Sequence, residues 1–308
     1  MQRLIRIGSR DSSLALWQTK FIDHLLKQQG INTEIILVKS DGDLNLVSPL
    51  YEMGVQGIFT KTLDTALLSN KIDIAVHSLK DIPTQLPVNL KIAAIPERAN
   101  PHDVLVYKDD NLNLSGKETI TIATVSLRRK AQWLNKYPGH NIESIRGNIN
   151  TRLEKLKSTS HWHAALFASA GIDRIGLDVP FKKELDWMLP APAQGALAVV
   201  CRENDIEAIS ICHTLNNSDS SICTGIERSF LRNLKGGCSI PIAALAMVKN
   251  NSIHFRGNIL SLDGVRKVEI EMEFEKDNYE NAGKLAASKL LENGGNKIAD
   301  ELKRLMKN

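Results

Sequence analysis

The chain has 308 residues and a mass of 34.2 kDa, too long for one ordinary core, so two or three domains of about 100 residues each are expected. Hydrophobic residues make up 43% and charged residues 24%, the balance of a soluble globular enzyme or binding protein. Aromatic content of 5% disfavours a base-stacking nucleic-acid platform, and a net charge of only +4 implies no general polyanion surface.

The N-terminus, Met1 to Gly8, enters a strand-like segment without a secretory apolar region, and apolar stretches such as Ala196 to Cys201 fall far short of the ~20 residues of a membrane helix. A cytoplasmic location is expected. Cysteines stand at 201, 212, 223 and 238 with no close pair, so neither a structural zinc site nor a disulfide is expected, and no metal site is read. Cys238 differs from the others. It follows Gly236-Gly237 and precedes Ser239-Ile240-Pro241, a loop in which a thiol can stand clear of packing, although the commoner fate of a free cysteine is as a small buried hydrophobe.

In chain order, Leu4 to Ile7 reads as a short strand, Arg10-Asp11-Ser12-Ser13 as a polar junction, and Leu14 to Gln29 as an amphipathic helix stopped by Gly30. With the next strand, Ile35 to Val38, this βαβ unit predicts a parallel sheet with right-handed crossovers. Ser40 through Gly57 is long for a simple connection, and such loops are often lids or binding loops. A helix over 58–69 leads to residues 72–83, where apolar Ile72 to Val76 breaks into His77, Ser78, Lys80 and Asp81 and closes at Pro83. That run reads as a buried strand, and the C-terminal ends of strands hold the chemistry of open α/β sheets. Asp81 is thus the first catalytic candidate, set against the frequent use of aspartate in turns and helix caps.

Leu90 to Ile95 reads as a strand and Pro96 to Asp103 as a hinge. From Val104 the alternation restarts, with strands over 104–107, 119–123, 142–146 and 164–168 and helices over 127–136 and 151–157. His161-Trp162-His163 reads as a solvated strand edge in preference to a metal site. Pro190-Ala-Pro-Ala-Gln-Gly195 is a second hinge, after which residues 196–201 supply one more strand. Two crossings between the same pair of α/β domains would place a ligand cleft between them, as in two-lobed solute-binding proteins. A helix over 221–235 leads to Cys238, and strand-like runs over 242–248, 253–260 and 265–274, joined by Asn250-Asn251 and Asp263-Gly264, predict an antiparallel meander. Helices over 279–292 and 296–306 should cover one of its faces.

The expected fold class is α/β, with two lobes like those of periplasmic binding proteins and a small α+β C-terminal domain holding a three-stranded antiparallel sheet. Residues 1–97 and 196–216 are expected to form the first lobe, 102–190 the second, and 218–308 the C-terminal domain that carries Cys238.

Several arginines occupy unusual positions. Arg10 lies at a strand-to-helix junction, Arg128 and Arg129 follow Thr124-Val-Ser126 in the first turn of a helix, and Arg152 opens the helix after Arg146-Gly-Asn148. Helix N-termini are already partly positive, so a cation there is disfavoured by a few tenths to ~1 kcal/mol unless an anion binds. A solvated arginine explains any one of them. Three such junctions point to a ligand with several carboxylates or phosphates. With neither a Walker A sequence nor a G-x-G-x-x-G turn after a strand, a small polycarboxylate fits better than a nucleotide.

Arg10-Asp-Ser-Ser-Leu-Ala-Leu-Trp-Gln18, Asp73-Ile-Ala-Val-His-Ser-Leu-Lys-Asp-Ile-Pro83, Ser126-Leu-Arg-Arg129, Arg146-Gly-Asn148 with Thr151-Arg152, Gln194-Gly-Ala-Leu-Ala198 and Gly236-Gly-Cys-Ser-Ile-Pro241 together resemble the porphobilinogen deaminase (hydroxymethylbilane synthase) family, in the family's order. The resemblance implies a transferase of heme biosynthesis that joins four porphobilinogen molecules head to tail on a dipyrromethane cofactor, releasing ammonia and hydroxymethylbilane. With no obvious apolar tail in the sequence, a monomer is the default expectation. Cys238 matches the thioether attachment residue. Asp81 matches the catalytic aspartate, which answers positive charge on pyrrole nitrogen and helps move protons. Lys80, Ser12, Thr124, Ser126, Arg128, Arg129 and Arg146 match cofactor contacts. Arg10, Arg129, Arg152 and Arg174 match substrate contacts. The chain departs from the family where Gly54-Val-Gln56-Gly57 replaces Gly-Gly-Lys-Gly and Glu52 stands in place of a second lysine. The rival from another class is a cytoplasmic two-lobed binding module for a polycarboxylate, which has no need of an exposed Cys238.

Overall fold

The computed structural model describes residues 3–38, 60–110, 112–116, 118–179, 181–235 and 240–305. The long loop with Glu52 and Gln56, and the Cys238 loop, lie outside the described residues. The elements in chain order are β1 (Ile5–Ser9), α1 (Ser13–Gln28), β2 (Thr33–Leu37), α2 (Lys61–Leu68), β3 (Ile74–Ser78) with a 3-10 turn at Leu79–Asp81, and β4 (Leu90–Ala94). Then come β5 (Asp103–Tyr107), β6 (Thr121–Ala123), α3 (Leu127–Lys136), β7 (Asn141–Glu143), α4 (Ile149–Ser158), β8 (Ala164–Ala168), α5 (Ser169–Arg174) and β9 (Lys182–Leu185). The chain continues with β10 (Leu197–Arg202), α6 (Ile206–His213), α7 (Ser218–Asn233), β11 (Ile242–Lys249), β12 (Ser252–Leu260), β13 (Lys267–Glu275), α8 (Ala282–Leu290) and α9 (Asn296–Leu305).

These elements fall into two compact units, Met1–Ala99 with Gly195–Ile222 and Asn100–Gln194 with Cys223–Asn308. The first holds a five-stranded sheet of order β2-β1-β3-β10-β4. As the βαβ pattern predicts, β1 is parallel to β2 and to β3. The sheet is mixed, however, because β10 runs antiparallel to both β3 and β4. Its core joins Ile5, Ile7, Ile74, Val76, Val199 and Cys201 from the strands to Ile22 and Leu26 of α1 and Cys212 of α6. Burial pushes the Cys201 and Cys212 thiols up to about 11 and about 12, so both are inert packing residues.

At the start of the parallel strands, Asp73 accepts from Arg3, Arg6 and Arg202 at 2.8–3.1 Å, and Asp205 pairs with Arg3 and Arg202. Burial alone would raise the Asp73 carboxyl, but the three guanidiniums hold it well below the usual carboxylate range. A depressed folded-state value stabilises the fold above the ordinary aspartate value near pH ~4, and this contribution is lost as pH falls. Asp73→Asn is therefore expected to cost about 2–3 kcal/mol in denaturant titrations at pH 7, less than for a fully dry pair because the arginines are partly solvent-screened. The gap between wild type and variant should narrow at pH 3, and an equal gap at both pH values would refute the assignment.

The second unit holds a sheet of order β7-β6-β8-β5-β9, again mixed, with β5 antiparallel to β8 and β9. Strand alternation sends Val104, Val106 and Phe167 to one core with Leu153 and Trp162, and Leu105, Ile122 and Leu166 to another with Trp133 and Met188. The three-stranded antiparallel sheet β11-β12-β13 forms as expected. Asn250 and Asn251 both have positive φ (47° and 65°), the conformation of a tight two-residue hairpin. Gly283 on α8 allows a close helix approach, since an added Cβ would lie 2.4 Å from Ile226 O on α7.

Residues 161–163 do not form the expected strand edge. They precede β8 in a turn, and Trp162 is buried in the core while its indole donates to Glu143 at 2.5 Å. His161 meets the same carboxylate at 3.0 Å, whereas His163 Nδ1 accepts from the Thr121 amide at 3.0 Å, so the two rings serve different partners. Among the described residues no cluster of His, Cys, Asp or Glu could hold a metal ion, and no helix is long and apolar enough to cross a membrane.

Candidate active site

Each unit contributes candidate residues from the C-terminal ends of its parallel strands. In the first, β1 ends at Ser9 and leads through Arg10 and Ser12 into α1. Ser12 is the N-cap, its hydroxyl oxygen accepting from the Ala15 amide at 3.3 Å. The hydroxyl hydrogen is left available to donate to an anion at the helix N-terminus. Beside it β3 ends in His77 and Ser78, and Gln18 of α1 donates to Ser78 Oγ at 2.8 Å. The chain then turns through Leu79–Asp81, burying Leu79 and presenting Lys80 half-buried and Asp81 exposed. The expected strand over 72–76 is thus displaced to Ile74–Ser78, and Asp81 sits in a short 3-10 turn at its end.

Burial pushes the His77 ring down to about 4, with the Arg10 guanidinium acting in the same direction, so the ring is neutral at physiological pH. Ionic groups at the opposite, N-terminal end of these strands belong to the Asp73 network. The division separates residues that hold the sheet from residues that can meet a ligand.

In the second unit, β6 ends at Ala123 and the chain passes through Thr124 and Ser126 into α3. Thr124 Oγ1 accepts from the Ser126 amide at 3.2 Å, and Ser126 Oγ accepts from the Arg129 amide at 3.4 Å as the N-cap. Arg146-Gly147-Asn148 makes the corresponding turn before α4. Gly147 has φ 116°, which a side chain disfavours, and Asn148 caps the helix by accepting from the Thr151 amide at 2.9 Å. Arg152 lies one turn into α4 rather than at its start, and its Nε donates to Gly147 O at 2.7 Å. Arg174 closes α5, a helix too short for apolar periodicity to mark in the sequence, and burial pushes it down to about 10.

Arg128 and Arg129 are the unexpected part. Both are almost fully buried and share one carboxylate, that of Asp103, which is 0% exposed. Arg128 Nη1 donates to Asp103 at 2.6 Å and to Leu189 O at 2.7 Å. Arg129 gives Nε and Nη2 to Asp103 at 3.0 and 2.8 Å and Nη1 to Leu166 O at 3.0 Å. Gln194 adds a fourth donor to Asp103 at 2.8 Å. Burial by itself would raise the Asp103 carboxyl, but the two guanidiniums hold it well below the usual carboxylate range.

Part of the cost of arginine at a helix N-terminus is therefore offset inside the protein. One carboxylate against two guanidiniums still leaves one positive charge, and Arg128 makes both of its hydrogen bonds through Nη1, with Nε and Nη2 unengaged among the described residues. A low-dielectric cation at a capped helix N-terminus fits a carboxylate-bearing ligand.

In the sequence Asp103 falls at the end of one hinge and Gln194 within the other and within a motif, and neither position shows its partner. The signal available was a lone acid next to Val104-Leu-Val-Tyr107, a polar residue leading a strand too apolar to be exposed. Glu227 was also missed. Its buried carboxylate accepts from the amides of Ala193, at 2.6 Å, and Ala246, at 2.8 Å, and so supports Ala193 at φ 63°.

Residues 5–210 match the family described as "Porphobilinogen deaminase, dipyromethane cofactor binding domain", and residues 221–292 match "Porphobilinogen deaminase, C-terminal domain". The chain belongs to the porphobilinogen deaminase family. A porphobilinogen deaminase from Desulforamulus reducens is 40% identical, over 98% of this chain and 99% of that protein. A probable porphobilinogen deaminase from Methanocella arvoryzae is 38% identical, over 97% and 99% respectively.

Among solved structures, an ancestral cationic amino acid solute binding protein aligns with 69% of this chain and 87% of its own at a TM-score of 0.44 and 14% identity. The Bordetella pertussis BvgS periplasmic VFT2 domain aligns with 71% and 90% at a TM-score of 0.43 and 13% identity.

Proposed function

We propose that this member of the porphobilinogen deaminase family is the transferase that condenses four porphobilinogen molecules head to tail on a dipyrromethane primer bound through Cys238, releasing ammonia and hydroxymethylbilane. The observation that carries the reading is the charge imbalance at the start of α3, where Arg128 and Arg129 outnumber Asp103 in a nearly dry setting. Pyrroles that each bear acetate and propionate arms supply the anions such a cluster lacks. A binding module for a polycarboxylate would use the same arginines, but family membership over both matched regions favours the enzyme.

The residues divide the work by their chemistry. Arg128, Arg129 and Arg146, with Thr124 and Ser126, hold cofactor carboxylates in the second unit, and Lys80 and Ser12 do so in the first. Arg10, Arg152 and Arg174 hold the arms of the incoming pyrrole, with Arg129 serving both sets. When bound, the dipyrromethane supplies the nucleophilic pyrrole carbon to which successive substrates are added. Asp81 places a fixed negative charge at the exposed end of the β3 turn, where it accepts a pyrrole N–H and opposes positive charge on that nitrogen during deamination and coupling. The same carboxylate takes the proton lost when the ring regains aromaticity. The protein is a cytoplasmic monomer in this reading, with residues 1–97 and 196–216, 102–190 and 218–308 as its three domains.

Intact mass spectrometry tests the proposal directly. The purified chain is expected to exceed its sequence mass by two linked pyrrole units, and Cys238→Ser is expected to lose both the excess mass and activity. An active protein of unmodified mass would overturn the primer.

A further inference from the structure

His77 joins the group of polar atoms around Arg10. Arg10 directly follows β1, and the parallel register sets Ile7 against Ile74 and Gly8 against Ala75. Two further steps bring Arg10 level with His77, and residues level with one another in a parallel pair project to the same face of the sheet. This is the face on which Gly8 lies against Leu63 and Ile72. The same proximity shows in the electrostatics, where the charge acting on the His77 ring is that of Arg10.

The ring is only 7% exposed, yet its Nε2 is a buried atom with no hydrogen-bond partner among the described residues. Buried polar atoms of native proteins are nearly always paired, and an exception calls for a partner outside the described residues, such as water, an ion or a ligand. A few residues along the chain, the first turn of α1 presents amides that no helical carbonyl can reach, one of them capped by Ser12. A guanidinium, a helix N-terminus and an unsatisfied imidazole nitrogen thus occupy neighbouring positions at one end of the sheet.

We propose that His77, with its hydrogen on Nε2, donates to the same porphobilinogen carboxylate that Arg10 binds and fixes the orientation of that carboxylate on the guanidinium. The inference rests on the role of Arg10 in holding substrate. A neutral ring suits the task, because a second buried cation beside Arg10 would be repelled by it and would have to be desolvated with it. A carboxylate accepts from the ring and the guanidinium together and so satisfies the buried nitrogen.

Steady-state kinetics on the holoenzyme with His77→Phe, His77→Gln and His77→Asn tests this, with Arg10→Met as reference. Glutamine carries its amide about as far from the backbone as Nε2, whereas asparagine reaches only the position of Nδ1. His77→Phe and His77→Asn are expected to raise KM for porphobilinogen about tenfold or more with kcat within about twofold, and His77→Gln to restore most of the loss. Thermal midpoints of the Gln and Asn variants should agree, and if the Phe variant does not accumulate, that pair decides the question. A KM unchanged in His77→Asn, an equal loss in Asn and Gln, or a fall in kcat alone would each overturn the proposal. Arg10→Met separates this failure from that of the underlying reading: if it leaves KM unchanged, the substrate role of Arg10 is wrong, whereas a raised KM there with normal His77 variants refutes His77 alone.

Discussion

Asp81→Asn is expected to fold and take up cofactor normally while turnover falls by about 10²–10³-fold, the usual consequence of removing one preorganised electrostatic partner from a developing charge. Asp81 is exposed at the end of a three-residue turn, so the thermal midpoint should move by no more than a few degrees. Asparagine keeps the shape and one acceptor oxygen but no negative charge, and it cannot take a proton. Asp81→Glu keeps the charge and displaces it by about one methylene, which for a positioned group is expected to cost about a hundredfold. Single-turnover measurements on protein already carrying the cofactor isolate the chemical step from cofactor assembly. Wild-type turnover in Asp81→Asn would show that the carboxylate is a turn residue and nothing more.

Asp103→Asn should show the opposite pattern, with stability lost first. The substitution leaves Arg128 and Arg129 buried against a neutral amide, and breaking a buried ion pair from one side typically costs about 3–5 kcal/mol. That is a large share of the stability of an ordinary domain. Because the Asp103 carboxyl lies well below its ordinary value in the fold, its contribution is complete above the unfolded aspartate value and fades as pH falls below it. The difference between wild type and variant should therefore be largest near neutrality and shrink in acid. Denaturant titration at pH 7 and pH 3 checks both claims, and a cost under about 1 kcal/mol at pH 7 would remove Asp103 as the counter-ion. Adding Arg129→Gln to Asp103→Asn should recover part of the loss, giving a coupling of about 1 kcal/mol or more between the two sites.

What could be read from the sequence was local. Helix α3 and strand β8 lie where periodicity and caps place them, and the Asn250-Asn251 turn forms the tight hairpin its residues favour. Strand β9 carries no apolar signal because an edge strand can be charged, and Lys182, Lys183 and Glu184 are all exposed along it. Helix α5 was hidden by its six-residue length. The antiparallel strands β10 and β5 could not be foreseen from βαβ alternation, because their direction is set by where the chain crosses and not by their own residues.

The candidate site divides in the same way. Its residue types were visible because Ser12, Ser126 and Asn148 are helix caps, and caps carry a short-range pattern. The partnership of Asp103 with Arg128 and Arg129 was not, since the pairing spans 25 and 26 residues and no periodicity records it. His77 has a comparable history. In sequence it is one polar residue after an apolar run, and only the register of β1 on β3 sets it level with Arg10.

The placement of β10 between β3 and β4 also bears on how the protein is made. Among the described residues strand β4 pairs with β10 and with no other strand, so when residues 90–94 leave the ribosome that partner is still missing from their sheet. The edge of β3 stays open in the same interval, until residues 197–202 have been synthesised. An entire second α/β segment must therefore emerge while the first sheet waits with unsatisfied backbone groups, the condition in which strands are captured by other chains. Ribosome-bound fragments ending before Leu197 should accordingly engage chaperones and resist folding, and those that extend past Arg202 should be the first to acquire protease resistance in the N-terminal unit.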